Sequence, residues 1–393
     1  MARMPRVAES AVRVPVSRIR ELADIAMRMD GVLRLYFGES NLPTPDYIKD
    51  AAVRALRDGY TFYTENAGLP SLRRAIAESY RRLHGVAIDP AGEIVITASG
   101  VQALNVGIRL TLDPGDEALV LTPAWPNGAS IVALSNAMAR EIPLPLSGSR
   151  YAIDFDTLEA AVTARTRLVV YNSPSNPLGW VATGDEQRRL LDFARRHGLW
   201  LLADEVYDRL NYLGGRPGEP VPSILRLASR DDAVIVVQSF SKAYRMTGWR
   251  LGYLIARRDL AQKAAQINEF IVSHAASFTQ KAAETALAEG EEELPGMIQG
   301  LRQNRDLCLA ALRGMPRVTV PEPDGAFYLF PRIAGVSDSF AFCRRLLEET
   351  RVGLAPGVAF GAGGEGSVRI CYAAERAILE PALERLGNFL KQG

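Results

Sequence analysis

At 393 residues the chain is longer than one small core needs and suits two domains, or one large domain with a satellite. Its 46 basic and 45 acidic residues leave a formal charge of +1, so nothing favours nucleic acid or an anionic membrane surface as a partner, and small-molecule chemistry is the default. Cys308, Cys343 and Cys371 are far apart and form no CxxC pair, which argues against a disulfide framework or a zinc site and fits a reducing cytoplasm.

In chain order, the opening MARMPRVAESAVRVPVSRIREL scatters charges and has no apolar core, so it does not read as a secretory signal. No later apolar run reaches membrane-spanning length. The segment 1–45 holds a helix ahead of Val32 to Phe37, too little to fold alone, and is expected to pack against the C-terminal part. From about residue 93, short apolar runs alternate with helical stretches: Glu93 to Ala98, Ala118 to Leu121, Leu168 to Tyr171, Leu199 to Ala203 and Ala233 to Val237. That alternation predicts an α/β domain over 46–285 with a mostly parallel, doubly wound sheet. Leu104, Ile108 and Leu112 repeat at i, i+4 in the first helix between strands, and Asp113-Pro114-Gly115-Asp116 is expected to end it in a turn. After long helical segments come Val318 to Val320, Ala326 to Phe330, a helix from about Ser339 to Glu349, Val368 to Tyr372 and a last helix. These predict a smaller α+β domain over 286–393.

Such sheets bind ligands at the C-terminal ends of their strands, where the chemical residues from Ser99 to Lys242 fall. Lys242 stands in Ser239-Phe240-Ser241-Lys242-Ala243-Tyr244-Arg245-Met246-Thr247-Gly248-Trp249-Arg250, directly after the run ending at Val237. A lysine delivered to a strand's end, with hydroxyls before it and an arginine eight residues on, suits an amine that condenses with an aldehyde beside a bound phosphate. Pyridoxal phosphate requires this arrangement. Ser99-Gly100-Val101 lies between a strand and a helix, where backbone amides meet a phosphate. Ser239, Ser241 and Arg250 are further donors to the same anion, Arg250 through a bidentate fork.

Asp204 ends the run Leu199 to Ala203. A carboxylate there, facing a pyridine nitrogen, keeps that nitrogen protonated, so the ring accepts the electron pair left when a bond to the substrate's Cα breaks. Tyr207 and Asn176, the latter in Asn172-Ser173-Pro174-Ser175-Asn176-Pro177-Leu178-Gly179, suit the ring's phenolic oxygen, although asparagines between prolines also form turns. Trp125 is placed to stack on the ring. Arg369 is a charge inside the apolar strand Val368 to Tyr372, where a buried guanidinium needs an anion such as a substrate α-carboxylate.

With these residues on the page, the chain resembles a class I/II aminotransferase, a fold-type-I pyridoxal phosphate enzyme, over essentially its whole length. The matching pieces run in the family's order: Gly38-Glu39 with Pro43-Thr44-Pro45, Tyr63 with Gly68-Leu69-Pro70 and Leu72-Arg73, the Ser-Gly turn, the Asn-Pro loop, Asp204-Glu205-Val206-Tyr207, the lysine motif and Arg369. The resemblance implies that Lys242 bonds to the cofactor and then moves the proton. It also implies that Asp204 pairs with the pyridinium, and that Gly100, Val101, Ser239 and Arg250 hold the phosphate. The Gly38 backbone, Asn176 and Arg369 would hold the substrate's α-carboxylate, with Trp125 over the ring. Tyr63 would reach the phosphate of a neighbouring subunit, so a homodimer with shared sites is implied, acting on an amino acid and a 2-oxo acid, with 2-oxoglutarate as acceptor.

The chain departs from the family pattern at Glu39-Ser40-Asn41 and at Leu178, both expected near the entry of a substrate side chain. Val101 stands where many prokaryotic aspartate transaminases of this type carry lysine, which weakens aspartate as substrate. Arg13 or Arg18 is a candidate partner for an acidic side chain, and His274 a candidate substrate contact. His84 and His197 precede glycines at expected helix ends, where a cation suits the helix dipole. The same constellation also serves lyases, cyclases and oxidases, because it only makes the carbanion.

Overall fold

Period-2 alternation inside the apolar runs decides the layering. In Trp200–Asp204, Leu201 and Ala203 join the core on one side of the sheet and Leu202 the core on the other; in Val234–Ser239, Val234 and Val236 take the first side, Ile235 and Val237 the second. Both faces are apolar, as a sheet covered by helices on both sides requires. The computed structural model describes residues 5–12 and 14–392.

The central sheet has seven strands in the order Ile94–Thr97, Gly252–Ala256, Val234–Ser239, Trp200–Asp204, Thr166–Asn172, Glu117–Thr122 and Met138–Pro143. Gly252–Ala256 runs antiparallel to both neighbours and the remaining pairs are parallel. Two of these strands go beyond the five apolar runs. Met138–Pro143 is an edge strand with only Ile142 buried, so its sequence lacks the apolar run of a central strand. Gly252–Ala256 follows directly on the lysine motif. The helix Gly100–Arg109 is shorter than the i, i+4 repeat suggests. Leu112 is buried beyond its end, and Thr111 donates its hydroxyl to the carbonyls of Gly107 and Ile108 at 3.2 and 3.0 Å as the helix finishes.

The opening helix Arg18–Ala26, capped by Ser17, buries Ile19, Leu22, Ala23 and Ala26. It lies against the strand Ala355–Pro356 and the helix Ser339–Thr350. The strand Leu33–Arg34 pairs in parallel with Val352–Gly353. Near the C-terminus, Val368–Cys371 is the centre of a three-stranded antiparallel sheet between Tyr328–Leu329 and Ala355–Pro356. Among the described residues no helix is long and apolar enough to cross a membrane.

Register sets the site. Asn172 lies opposite Asp204, and Gly252 lies opposite both Thr97 and Ser239. A Cβ on Gly252 would collide with the backbone of Ser99 and Gly100, so glycine lets the turn that opens the helix settle beside the sheet. The chemical residues therefore gather at the C-terminal ends of the parallel strands, on the cavity that Arg369 also lines.

Candidate active site

A cavity of about 750 Å³ opens there, a size suited to a cofactor and a small substrate. Of the fourteen residues assigned from sequence to the cofactor or the α-carboxylate, twelve line it: Gly38, Gly100, Val101, Trp125, Asn176, Asp204, Tyr207, Ser239, Ser241, Lys242, Arg250 and Arg369. Ser99 stands just outside and caps the helix, its hydroxyl accepting from Gln102 N at 3.2 Å. Tyr63 lies apart. It is 91% exposed, edge-on to the His274 ring at 5.5 Å between centroids.

The lysine arrives on the turn after Val234–Ser239, where Ser239 Oγ accepts from Ser241 N at 3.1 Å and steadies the bend. Lys242 Nζ donates to the Gly38 carbonyl at 2.6 Å and sits 5.4 Å from the Tyr207 ring centroid and 5.6 Å from that of Phe327. Burial lowers its pKa to about 8, with Arg369 and Arg250 adding to the effect. The amine is therefore far more available as a neutral base than an exposed lysine.

Asp204 ends its strand facing the cavity. Burial raises it to about 7, against a single backbone donor, Val206 N, at 3.3 Å, and it forms no ion pair among the described residues. Its carbonyl accepts from Asn172 Nδ2 at 2.9 Å, while Asn172 Oδ1 accepts from Asn176 N at 2.7 Å. Asn172 thus ties the Asn-Pro loop to the strand end and fixes where Asn176 stands.

Arg369 is 2% exposed and has no carboxylate partner among the described residues. Nη1 donates to Asn176 Oδ1 at 2.9 Å, Nη2 to the Tyr36 carbonyl at 2.5 Å, and the buried Nε has no partner among them. The guanidinium lies between the Tyr328 and Phe360 rings at 4.6 and 5.0 Å. A buried cation supplied only with neutral acceptors and aromatic faces is short of an anion.

Several other residues named from the sequence stand off the cavity wall. Ser40, Asn41 and Leu178 do not line the cavity: Leu178 is buried in the core, Ser40 Oγ accepts from Leu42 N at 3.1 Å, and Asn41 N donates to the Ala373 carbonyl at 3.2 Å. Arg18 pairs with Glu21 at 2.9 Å and lies over Phe340, away from the cavity. Arg13 lies outside the described residues. His274 is also off the cavity wall, its Nδ1 2.7 Å from the Ala275 carbonyl. His84 ends its helix, but burial lowers its pKa to about 4, so it is neutral near pH 7 and serves the helix dipole with no charge. His197 ends its helix beside Glu159, at 2.5 Å.

Tyr328 and Arg20 are among the wall residues to which the sequence reading gave no role. Tyr328 shares a hydrogen bond with Tyr207 at 2.8 Å, and its hydroxyl occupies the space a Cβ on Gly38 would need. Nothing in Gly325-Ala326-Phe327-Tyr328 separates it from a core aromatic. Arg20, two residues beyond the surface-facing Arg18, also lines the cavity.

Comparison with known proteins agrees with this geometry. The family described as aminotransferase class I and II matches residues 32–386. The chain is 34% identical over 388 residues to an aspartate aminotransferase of Pyrococcus horikoshii, covering 98% of this chain and 97% of the relative. It is 35% identical over 380 residues to aromatic-amino-acid aminotransferase 2 of Thermococcus litoralis, covering 96% of each. Among solved structures, an aspartate aminotransferase mutant of Thermus thermophilus superposes with a TM-score of 0.91 at 32% identity, covering 98% of this chain and 100% of the other. The chain therefore belongs to the class I and II aminotransferase family. Its reaction is amino-group transfer, and the family implies dependence on pyridoxal phosphate. These relatives give no support to lyase, cyclase or oxidase chemistry.

Proposed function

We propose that the cavity binds pyridoxal 5'-phosphate and moves the amino group of an L-amino acid to a 2-oxo acid, 2-oxoglutarate, by ping-pong turnover. What carries the reading is the meeting, on one cavity wall, of a lysine lowered to about 8 with a buried arginine that lacks an anion.

The residues present fit the cofactor. The amides of Gly100 and Val101 open a helix and have no intrahelical acceptor, and with Ser239, Ser241 and Arg250 they offer a set of donors for a phosphate. Asp204, raised by burial and without a cation of its own, suits a protonated ring nitrogen. When bound, pyridoxal phosphate supplies an aldehyde that condenses with an amine and a ring that takes up the electron pair released at the amino acid's Cα. With the cofactor bound, Lys242 would take the proton from Cα as base and return it as acid. Asp204 would stay ionised to hold the ring nitrogen's charge. Tyr207 and Asn176 would donate to the phenolic oxygen, and Trp125 would cover the ring. Arg369, with Asn176 and the Gly38 backbone, holds the α-carboxylate so that the Cα proton faces Lys242.

The working unit in this reading is a homodimer. Phe62, Tyr63 and Phe270 are 80%, 91% and 88% exposed. Ser277 Oγ donates to the Tyr60 carbonyl at 2.6 Å and Asn268 Nδ2 to that of Asn66 at 3.3 Å, which sets the 60–66 loop beside the 268–277 segment. A second copy covering this apolar face would receive Tyr63 at its cofactor phosphate. Light scattering that gives a monomer at micromolar concentration would remove this part. The division into 1–45, 46–285 and 286–393 belongs to the same reading, with the cavity lined by residues of all three. Three buried free cysteines support a reducing, cytoplasmic setting.

The experiment is an absorbance scan of the purified protein with its cofactor, repeated while single amino acids are added without any 2-oxo acid. One-turnover conversion to the pyridoxamine form supports the proposal and names the donor. Continuous release of ammonia or keto acid would replace it, and absence of a cofactor band would remove it.

A further inference from the structure

Tyr328 is buried and lines the cavity, yet the function proposed above, on which this inference rests, gives it no task. It stands on Tyr328–Leu329, directly opposite Cys371 on the strand that carries Arg369. Period-2 geometry puts Arg369 on the same face as Cys371, so Tyr328 and Arg369 are diagonal neighbours, with the guanidinium 4.6 Å from the ring centroid. The ring braces Arg369 from one side and Phe360 braces it from the other.

The hydroxyl has a different neighbour. Its oxygen is 2.8 Å from that of Tyr207, and the two rings meet edge to face with 5.7 Å between centroids. It also fills the space beside Gly38, whose carbonyl accepts from Lys242 Nζ at 2.6 Å. Close packing on Gly38 keeps the phenol from turning away from Tyr207. Burial holds both phenols above their ordinary value, so each keeps its one proton near pH 7. The shared bond works against burial at Tyr207 and with it at Tyr328. Either oxygen can be the donor while the pair is considered alone. With the cofactor bound that freedom ends, because Tyr207 gives its proton to the phenolic oxygen and has only a lone pair to offer Tyr328.

We infer that Tyr328 is a positioning residue that donates to Tyr207, fixing where the Tyr207 proton points and strengthening its hydrogen bond to the cofactor's phenolic oxygen. Hydrogen bonds in a chain polarise one another, so a phenol that accepts one is a better donor of the next. A stronger donor on the phenolic oxygen favours the form in which that oxygen carries negative charge and the nitrogen joined to Lys242 has lost its proton. Tyr328 thus acts through Tyr207 on the protonation of the link between lysine and cofactor, and the task of its hydroxyl is separable from that of its ring.

The test titrates the absorbance of the holoenzyme against pH, without substrate, in wild type, Tyr328→Phe, Tyr207→Phe and the double variant. Tyr212→Phe is the control, a buried tyrosine off this cavity whose hydroxyl donates to the Ala326 carbonyl at 2.7 Å. Tyr328→Phe keeps the ring over Arg369 and is expected to raise the midpoint of the cofactor band by about 0.3 to 1 pH unit, part or all of one neutral hydrogen bond. In the Tyr207→Phe background the same change should move the midpoint no further, because the hydroxyl it acts through is gone. Tyr212→Phe keeps the wild-type midpoint. If Tyr328→Phe does not fold, 3-fluorotyrosine at position 328, a stronger donor of nearly the same shape, should lower the midpoint instead. A band with the same midpoint in wild type and Tyr328→Phe, or an equal shift with and without the Tyr207 hydroxyl, would overturn the inference and leave the proposed function standing. No cofactor band in any of these proteins would remove the two together.

Discussion

Arg209 and Arg369 are both nearly inaccessible, 4% and 2% exposed, yet their surroundings are opposite in kind. Arg209 is fully supplied by the protein: Nη1 and Nη2 meet the Glu291 carboxylate at 2.8 and 2.6 Å, and Nε donates to the Gly218 carbonyl at 2.8 Å. Arg369 has two neutral oxygens, two aromatic faces and an unpaired Nε. The first is scaffold, because its anion is built in. The second is poised for function, because its anion has to come from solution. Lys242 and Asp204 carry the same signature, each shifted by burial toward its neutral form and facing the cavity.

The largest effect that sharpens this contrast comes from Lys242. Lys242→Ala removes both the bonding amine and the proton carrier, so steady-state kcat should fall roughly 10⁴-fold or more while the melting temperature stays near wild type. A fall in melting temperature that accounts for the lost activity would mean that the lysine is structural.

Next are the two arginines themselves. Arg369→Met should reduce kcat/KM for every amino acid by about 30- to 150-fold, the loss of one charged hydrogen-bonding partner, with little change in stability because no protein carboxylate is left unpaired. Arg209→Met should do the reverse. It leaves Glu291, half screened by solvent, with only the longer pair to Arg82 at 3.4 Å, and is expected to cost about 1–3 kcal/mol of unfolding free energy while the folded enzyme keeps its kcat. Denaturant curves alongside kinetics read both, and exchanged phenotypes would break the comparison.

A smaller effect separates Asp204 from its neighbour. Glu205 turns into the core, where its Oε1 accepts from Ile224 N at 2.8 Å and its Oε2 has no partner, and burial raises it to about 8. The folded state then holds more protons on this group than the unfolded chain, so its contribution to stability falls as pH rises through about 8. His84, lowered to about 4, acts with the opposite sign, but only between its folded value and about 6.5. Between about pH 6.5 and pH 8, Glu205→Gln should therefore lose less stability than wild type. Parallel pH profiles of unfolding free energy would show that Glu205 titrates normally.

Much of this was readable from the residues. The lysine motif, Asp204 and Arg369 sit on or just after apolar strands, and a charge in such a run has few bland explanations, so twelve residues could be gathered into one cavity before any coordinates. What escaped depends on tertiary packing. Arg18 and Arg20 look alike in sequence, and only the phase of their helix against the strand Ala355–Pro356 and the helix Ser339–Thr350 decides which meets the cavity. Tyr328 is one aromatic among several until its hydroxyl is seen beside Tyr207 and Gly38. The charge expected on His84 failed because burial, invisible in a helix-ending His-Gly pair, outweighs the helix dipole. The edge strand Met138–Pro143 is too exposed to announce itself by hydrophobicity.

The most direct measurement is calorimetric titration of the holoenzyme with a 2-methyl amino acid, which keeps the amine and α-carboxylate but has no Cα proton to lose, in wild type and Arg369→Met. The account predicts a dissociation constant raised by about 30- to 150-fold in the variant, with unchanged melting temperature. Equal dissociation constants in the two proteins would contradict the claim that Arg369 awaits the substrate's carboxylate.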